Sequence, residues 1–209
     1  MLKENQSVTS YEFGRDIIPM MVDQGLKVFG YKFQGYWGYT RTVKEYWQTS
    51  MELLGDNSLI DLEKWDVRTN LEHRDIRDCQ PLKVGAHAVL NNSLAYNGCI
   101  IDGKVSNSIL FPGVRVEKGA EVNNSVLFFN TLVKSGGRLE RVVSDVNTTF
   151  GHNVRVGIPR SGDSDRVTVI GWNNDVPNNM IIGCGCTVAP GISKEKWPHQ
   201  GLEDMEELQ

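Results

Sequence analysis

Three observations predict a mostly β chain built on a parallel β-helix of hexapeptide repeats. The first is an internal repeat. The segments NSILFPGVRVEKGAEVN, NSVLFFNTLVKSGGRLE and RVVSDVNTTFGHNVRVG begin at Asn107, Asn124 and Arg141, one every 17 residues. The second is a six-residue period inside each repeat. It runs through Leu110, Val116 and Val122, then Leu127, Val133 and Leu139, then Ser144, Phe150 and Val156. The third is a small or β-branched residue two places before each of these. Those residues are Ser108, Val114 and Ala120, then Ser125, Thr131 and Gly137, then Val142, Thr148 and Val154. A period of six suits neither an α-helix nor a flat meander, but it suits the side of a triangular coil. The large residue points into the prism and the small one lets the chain turn inward. A coil of 17 is two full sides and one shortened by a residue. Gly119, Gly136 and Gly157 fall at the expected turns, where positive φ is often needed.

The period continues in both directions. Val84 and Leu90, then Leu94 and Ile100, keep the spacing in a looser register, and NSLAYNGCIIDGKVSN reads as a shorter coil. Downstream, Ile182 and Val188 are again six apart. The intervening PRSGDSDRVTVIGWNNDVPNN breaks the period and reads as a turn, a strand over 166–171 and a loop. The β-helix is therefore placed at 81–209 with an insertion near 158–180. The acidic tail GLEDMEELQ reads as frayed or as a short terminal helix.

Ahead of the prism lie two further parts. Residues 56–80, rich in charge and without a sustained period, read as a connector. In the first part, 1–55, Phe13, Ile17, Ile18 and Met21 have helical spacing, Gly25 is placed to end the helix, and Pro19 divides it in two. LKVFGYKF, 26–33, reads as a strand. Thr42 and Glu45 form a capping box. Val43, Tyr46, Trp47, Ser50, Met51 and Leu54 then share a helix face, and Gly55 ends that helix.

Composition narrows the function. The 209 residues are 40% hydrophobic and 23% charged, as in an ordinary globular protein. A net charge of −4 argues against nucleic acid as partner. No apolar run is long enough to span a membrane, and MLKENQSVTS is too polar for a signal peptide. Cys184 and Cys186 stand too close for a usual disulfide, and all four cysteines read as reduced thiols of a cytoplasmic protein. His152 on a coil could act as a general base in acyl transfer. An exposed coil histidine is the simpler reading, for His87 as well, and the spacing of His73, His87 and His152 does not supply a zinc site. Gly35, Tyr36 and Trp37 could line a sugar, since aromatic faces and close backbone suit one, or could equally be core packing at the end of a strand. Arg41, at a helix start, could meet the phosphate of an effector or stand in for a lost metal's charge, and a surface salt bridge is the simpler reading.

The ordered motifs resemble a known family. EFGRDIIP (12–19) is similar to the DFGKDIIP of bacterial glucose-1-phosphate adenylyltransferases. GYWGYTRTVKEYW (35–47) resembles their YWRDVGTIDSYW, WDVRT (65–69) their WPIRT, and QPLKV (80–84) their PPAKF loop. The resemblance covers about 11–157. It implies a C-terminal fragment in which 1–55 closes a Rossmann-like α/β nucleotidyltransferase domain and a left-handed β-helix follows. It also implies synthesis of ADP-glucose and pyrophosphate from ATP and glucose 1-phosphate for glycogen, with magnesium serving the complete enzyme. The Gly-rich phosphate loop of that family is absent. Tyr39 stands at the family's metal-binding aspartate, and Arg41 at its glycine. A phenol is a poor magnesium ligand. These departures resemble the regulatory type of subunit, so no catalytic or metal-binding residue is expected here and the fragment is expected to be inactive. Gln80, Pro81 and Lys83 match a loop near the family's activator pocket, so Lys83 could meet a small anionic effector, although a plain exposed lysine is the simpler reading. The implied partners are a catalytic subunit and further copies of the chain joined through the β-helix. A hexapeptide acyltransferase and a purely structural oligomerisation module are the alternatives.

Overall fold

In a computed structural model describing residues 12–56, 58–68, 72, 74–159 and 165–209, the hexapeptide segments wind into three parallel sheets. Sheet A stacks Lys83–Val84, Ile100–Ile101, Arg115–Val116, Leu132–Val133, Thr149–Phe150 and Asp175–Val176. Sheet B stacks Val89–Asn91, Lys104–Ser106, Glu121–Asn123, Arg138–Glu140, Arg155–Val156 and Ile181–Ile182. Sheet C runs from Leu94–Ala95 through Ile109–Leu110, Val126–Leu127, Val142–Ser144, Thr168–Ile170 and Thr187–Val188 to Glu207–Leu208. The chain visits A, B and C in turn, so every strand pairs with its equivalent one coil away. The predicted β-helix is the fold.

The interior follows the six-residue period. Leu110, Val122, Leu127, Val133, Phe150 and Val156 are fully buried, as are the small residues Ser108, Ala120, Ser125, Thr131 and Thr148. Hydroxyls at these inner corners are satisfied along the stack. Ser108 Oγ accepts from Ser125 N (3.1 Å), and Ser125 Oγ accepts from Val142 N (3.0 Å). A buried hydroxyl without such partners would be costly. Corners also need residues with positive φ. Glycines supply some, but asparagines supply as many, at 92, 107, 124, 130, 147, 153, 173 and 179. Asparagine tolerates this region because its short amide can bond locally. Here the amides also bond to each other, Asn130 to Asn147 (3.2 Å) and Asn147 to Asn173 (3.1 Å).

Three sequence readings are corrected. The break at 158–180 is narrower than expected. Thr168–Ile170, Asp175–Val176 and Ile181–Ile182 are regular coil strands, and the extra length lies between Val156 and Thr168. Asn130 and Asn147 are 17 apart, whereas Asn147 and Asn173 are 26 apart. The tail is neither frayed nor helical. Leu202 bridges Ile182, and Glu207–Leu208 adds a strand to sheet C. Segment 26–33 forms no strand, since no neighbouring strand is available to it among the described residues. The expected short coil is present, with Asn92 and Asn107 only 15 apart. Its tight corner needs Gly103, where a Cβ would meet Ala120 O at 2.5 Å.

The chain divides into two compact units, one ending at Tyr36 and one from Trp37 to Gln209. In the first, a π-helical turn Phe13–Ile17 leads into α1, Ile18–Asp23, with Pro19 in the opening turn. The helical stretch is thus in two short pieces, as expected, with Pro19 at the start of the second. Gly25, with φ of 71°, follows its end. The readings that fall on residues 1–11, 57, 69–71, 73 and 160–164, His73 and the polar N-terminus among them, lie outside the described residues.

In the second unit α2, Val43–Met51, lies on the outer surface of sheet C. Its capping box forms as predicted: Glu45 N donates to Thr42 Oγ1 (3.2 Å), and Thr42 N donates to Glu45 Oε2 (3.0 Å). The helix ends at Met51, before Gly55. Tyr46, Trp47, Met51 and Leu54 pack on Ile109, Val126 and Val143, which point outward from sheet C. Trp47 Nε1 donates to Asn124 O at 2.6 Å, and the Tyr46 ring lies 6.1 Å from that of Phe128. Val43, at the start of the helix, stays exposed.

Candidate functional site

The residues singled out from the sequence fall in three places. Gly35 and Tyr36 belong to the first unit, where a Cβ on Gly35 would collide with the Phe33 ring. Trp37 and Tyr39 belong to the second. They line a shallow, polar depression of about 240 Å³ with Glu45, Gln48, Thr49 and Glu52 of the helix. Both aromatic rings are exposed there. The Tyr39 backbone is held by Thr49 Oγ1, which donates to its carbonyl at 2.8 Å. Tyr39 therefore presents an exposed phenol, on an anchored backbone, at the position where the resemblance implies a metal-binding carboxylate. Among the described residues no three His, Cys, Asp or Glu side chains converge as metal ligands. A phenol at this place offers magnesium a poorer ligand than a carboxylate would.

Gln80, Pro81 and Lys83 come together on the outer surface of sheet A. They line a groove of about 630 Å³ with Cys79, Ile100, Arg115, Asn130 and Leu132. Arg115 is the residue that sequence reasoning missed. Lys83 pairs with Ile100 across the sheet, and Ile100 with Arg115. The two cations thus stand two strands apart, roughly 10 Å at the usual strand spacing. Neither forms an ion pair among the described residues. Amides of Gln80 and Asn130 and hydroxyls of Thr131 and Thr149 add polar groups. Such a groove suits a small anion with a modest apolar body. A usable signal did exist: Lys83 and Arg115 occupy equivalent places in their coils.

Behind the groove, burial pushes the Cys99 thiol up to about 11. Cys99, Cys184 and Cys186 are buried free thiols, and Cys79 is half-buried. Arg41 does not join the groove on sheet A. It lies beside sheet C, in a separate cavity with Val43, Tyr46, Phe128, Val143 and Asp145.

His152 is exposed on a corner between sheets A and B. Its Nδ1 is 2.8 Å from Ser135 Oγ. His87 Nε2 is 3.1 Å from Lys118 Nζ. Both match the exposed coil histidines expected. No helix among the described residues is long and apolar enough to cross a membrane.

Residues 82–176 match the family described as GlmU-like, C-terminal hexapeptide. The chain is 34% identical over 188 residues to a glucose-1-phosphate adenylyltransferase of Desulforamulus reducens, covering 88% of this chain and 46% of that protein. A glucose-1-phosphate adenylyltransferase of Acetivibrio thermocellus is 30% identical over 225 residues, covering 100% and 50%. One of Pseudothermotoga lettingae is 35% identical over 210 residues, covering 96% and 49%. The chain spans about half the length of these curated relatives. They support the glucose-1-phosphate adenylyltransferase family for this chain, with a hexapeptide β-helix as its main body.

Proposed function

We propose that the chain is the C-terminal part of a regulatory-type subunit of glucose-1-phosphate adenylyltransferase. The complete enzyme would form ADP-glucose and pyrophosphate from ATP and glucose 1-phosphate, with magnesium, in the cytoplasm for glycogen synthesis. This part contributes assembly and regulation rather than chemistry. The β-helix joins copies of the chain and a catalytic subunit, as hexapeptide β-helices commonly do. The groove with Gln80, Pro81, Lys83 and Arg115 receives an anionic effector.

One observation carries the reading. The loop bearing Tyr39 and Arg41 is bound to α2 through Thr49, and α2 is bound to sheet C through Trp47 and Asn124. A segment similar to a catalytic-domain loop of the relatives is thus tied to the outer surface of the prism. A shift in the prism would be passed to that loop, which is what coupling between two sites requires. Tyr39 in place of a carboxylate supports the loss of chemistry in this chain itself.

The test has two arms. The purified chain should form no ADP-glucose, and formation of ADP-glucose would overturn the regulatory reading. Mixed with a catalytic subunit, the full-length subunit should change the effector response of ADP-glucose synthesis, and Lys83→Ala with Arg115→Ala should abolish that change. An unchanged response with assembly retained would leave a scaffold only.

A further inference from the structure

The geometry points to a second ligand site, in the cavity between α2 and sheet C, for an α-amino acid with an apolar and preferably aromatic side chain. This site is separate from the groove on sheet A and does not depend on adenylyl transfer.

The cavity arises from an interrupted column of rings. The first corner residue after each strand of sheet C is Tyr96, then Phe111, then Phe128 on successive coils. Their rings stack, with centroids 5.9 Å apart for the first pair and 4.5 Å for the second. Tyr46 of α2 stacks on Phe128 from the side. On the next two coils the same place holds Asp145 and Gly171. The column stops, and a cavity of about 400 Å³ opens beyond Phe128, lined by Val143, Val169 and the Tyr46 side of α2. A flat or branched apolar group would continue the stack.

Two opposite charges line the same cavity. Arg41 forms no hydrogen bond or ion pair among the described residues. Asp145 accepts one hydrogen bond at Oδ1, from Val146 N (2.7 Å), leaving its second oxygen open. The neighbouring Lys44 is engaged by Asp165 (2.6 Å). Helix N-termini attract anions, but here the Glu45 carboxylate already caps the α2 terminus. A phosphate or dianion would meet Asp145 and Glu45 unfavourably. An amine alone would leave Arg41 unused. A zwitterion matches both, its carboxylate to Arg41 and its ammonium to Asp145, with the side chain in the ring slot.

Calorimetric titration of the 209-residue chain with L-phenylalanine tests this. Saturable binding at one site is expected. Arg41→Ala and Asp145→Asn should each weaken it by about tenfold or more. 3-Phenylpropionate and phenethylamine, each lacking one charge, should be weakened to a similar degree. Val169→Phe should fill the slot and remove binding. No saturation up to about 10 mM would overturn the proposal. So would unchanged affinity in both charge variants, or equal affinity for the singly charged analogues. The analogue series uses the unaltered chain and decides even if a variant is poorly folded. Because the readout is binding alone, failure here is distinct from failure of the adenylyltransferase reading.

Discussion

Sheets A and C enclose the same interior yet face different surroundings. Inward, each presents the same kind of residue: Val133 and Phe150 from A, Leu110 and Leu127 from C, all fully buried. Outward they diverge. Sheet C offers Ile109, Val126 and Val143, one per coil in a straight column, and these are 4%, 0% and 7% exposed because α2 covers them. Sheet A offers Lys83, Ile100, Arg115, Leu132 and Thr149, and among the described residues no element covers Ile100, which is 39% exposed. The six-residue period builds the prism but leaves the outward columns unspecified. An apolar column recruits a helix of the same chain. A mixed column with spaced cations leaves a groove open.

The contrast can be broken at the interior first. Phe150→Ala removes a buried ring that both surfaces rest on, and it should cost about 3–5 kcal/mol in chemical denaturation. A smaller loss would mean that the coils collapse to fill the space. Trp47→Ala acts on sheet C alone. It removes the bond to Asn124 and half-buried ring area, so about 2–3 kcal/mol of local stability should go. Hydrogen exchange should rise across 43–51 while the strands of sheet A stay protected; equal loss in both would show that the prism needs its helix.

A third probe is alkaline pH. The Cys99 thiol is raised by burial to about 11. Its proton is held more tightly in the folded state, so its contribution is complete below the unfolded value near 9. It declines as pH rises from there and is gone above about 11, a change on the order of 2 kcal/mol. Cys99→Ala should flatten that part of the stability profile, and an unaltered profile would assign the alkaline loss elsewhere. Thr42→Ala, which removes half the capping box, should cost about 1 kcal/mol and loosen the start of α2. Last, Lys83→Ala with Arg115→Ala should change stability by less than about 0.5 kcal/mol while weakening anion binding about tenfold. A large stability loss would make these cations structural and erase the distinction between the two sheets.

The prism was legible because its signal is local and repeated. Leu110 through Val156 mark inward positions, and Ser108 through Val154 mark corners, with no need to know what lies outside. The outward docking was harder to read. Ile109, Val126 and Val143 recur every 17 residues, but an apolar outward column names no partner, and α2 begins more than sixty residues earlier. The terminal coil was hidden for another reason. Leu202 and Leu208 are six apart, yet the acidic residues between them suggest solvent, and they do face solvent at the prism end. Segment 26–33 shows the opposite error, since alternation alone cannot make a strand without a neighbour. For the candidate site, Gln80, Pro81 and Lys83 could be read as one loop. Arg115 lies more than thirty residues further on, and only its place before Val116, like that of Lys83 before Val84, could have joined it to them.

The 26-residue coil has a practical consequence. All three sheets continue through it in register: Val142 still pairs with Thr168, Thr149 with Asp175 and Arg155 with Ile181. The corner between sheets B and C therefore accepts additional chain without disturbing the stack on either side, and lengthening an existing loop adds little closure entropy. That corner is a natural grafting point. A foreign peptide set between Gly157 and Arg166 would be displayed at a fixed height on a rigid post, and peptides grafted at matching corners of other coils would be spaced along it by multiples of one strand separation.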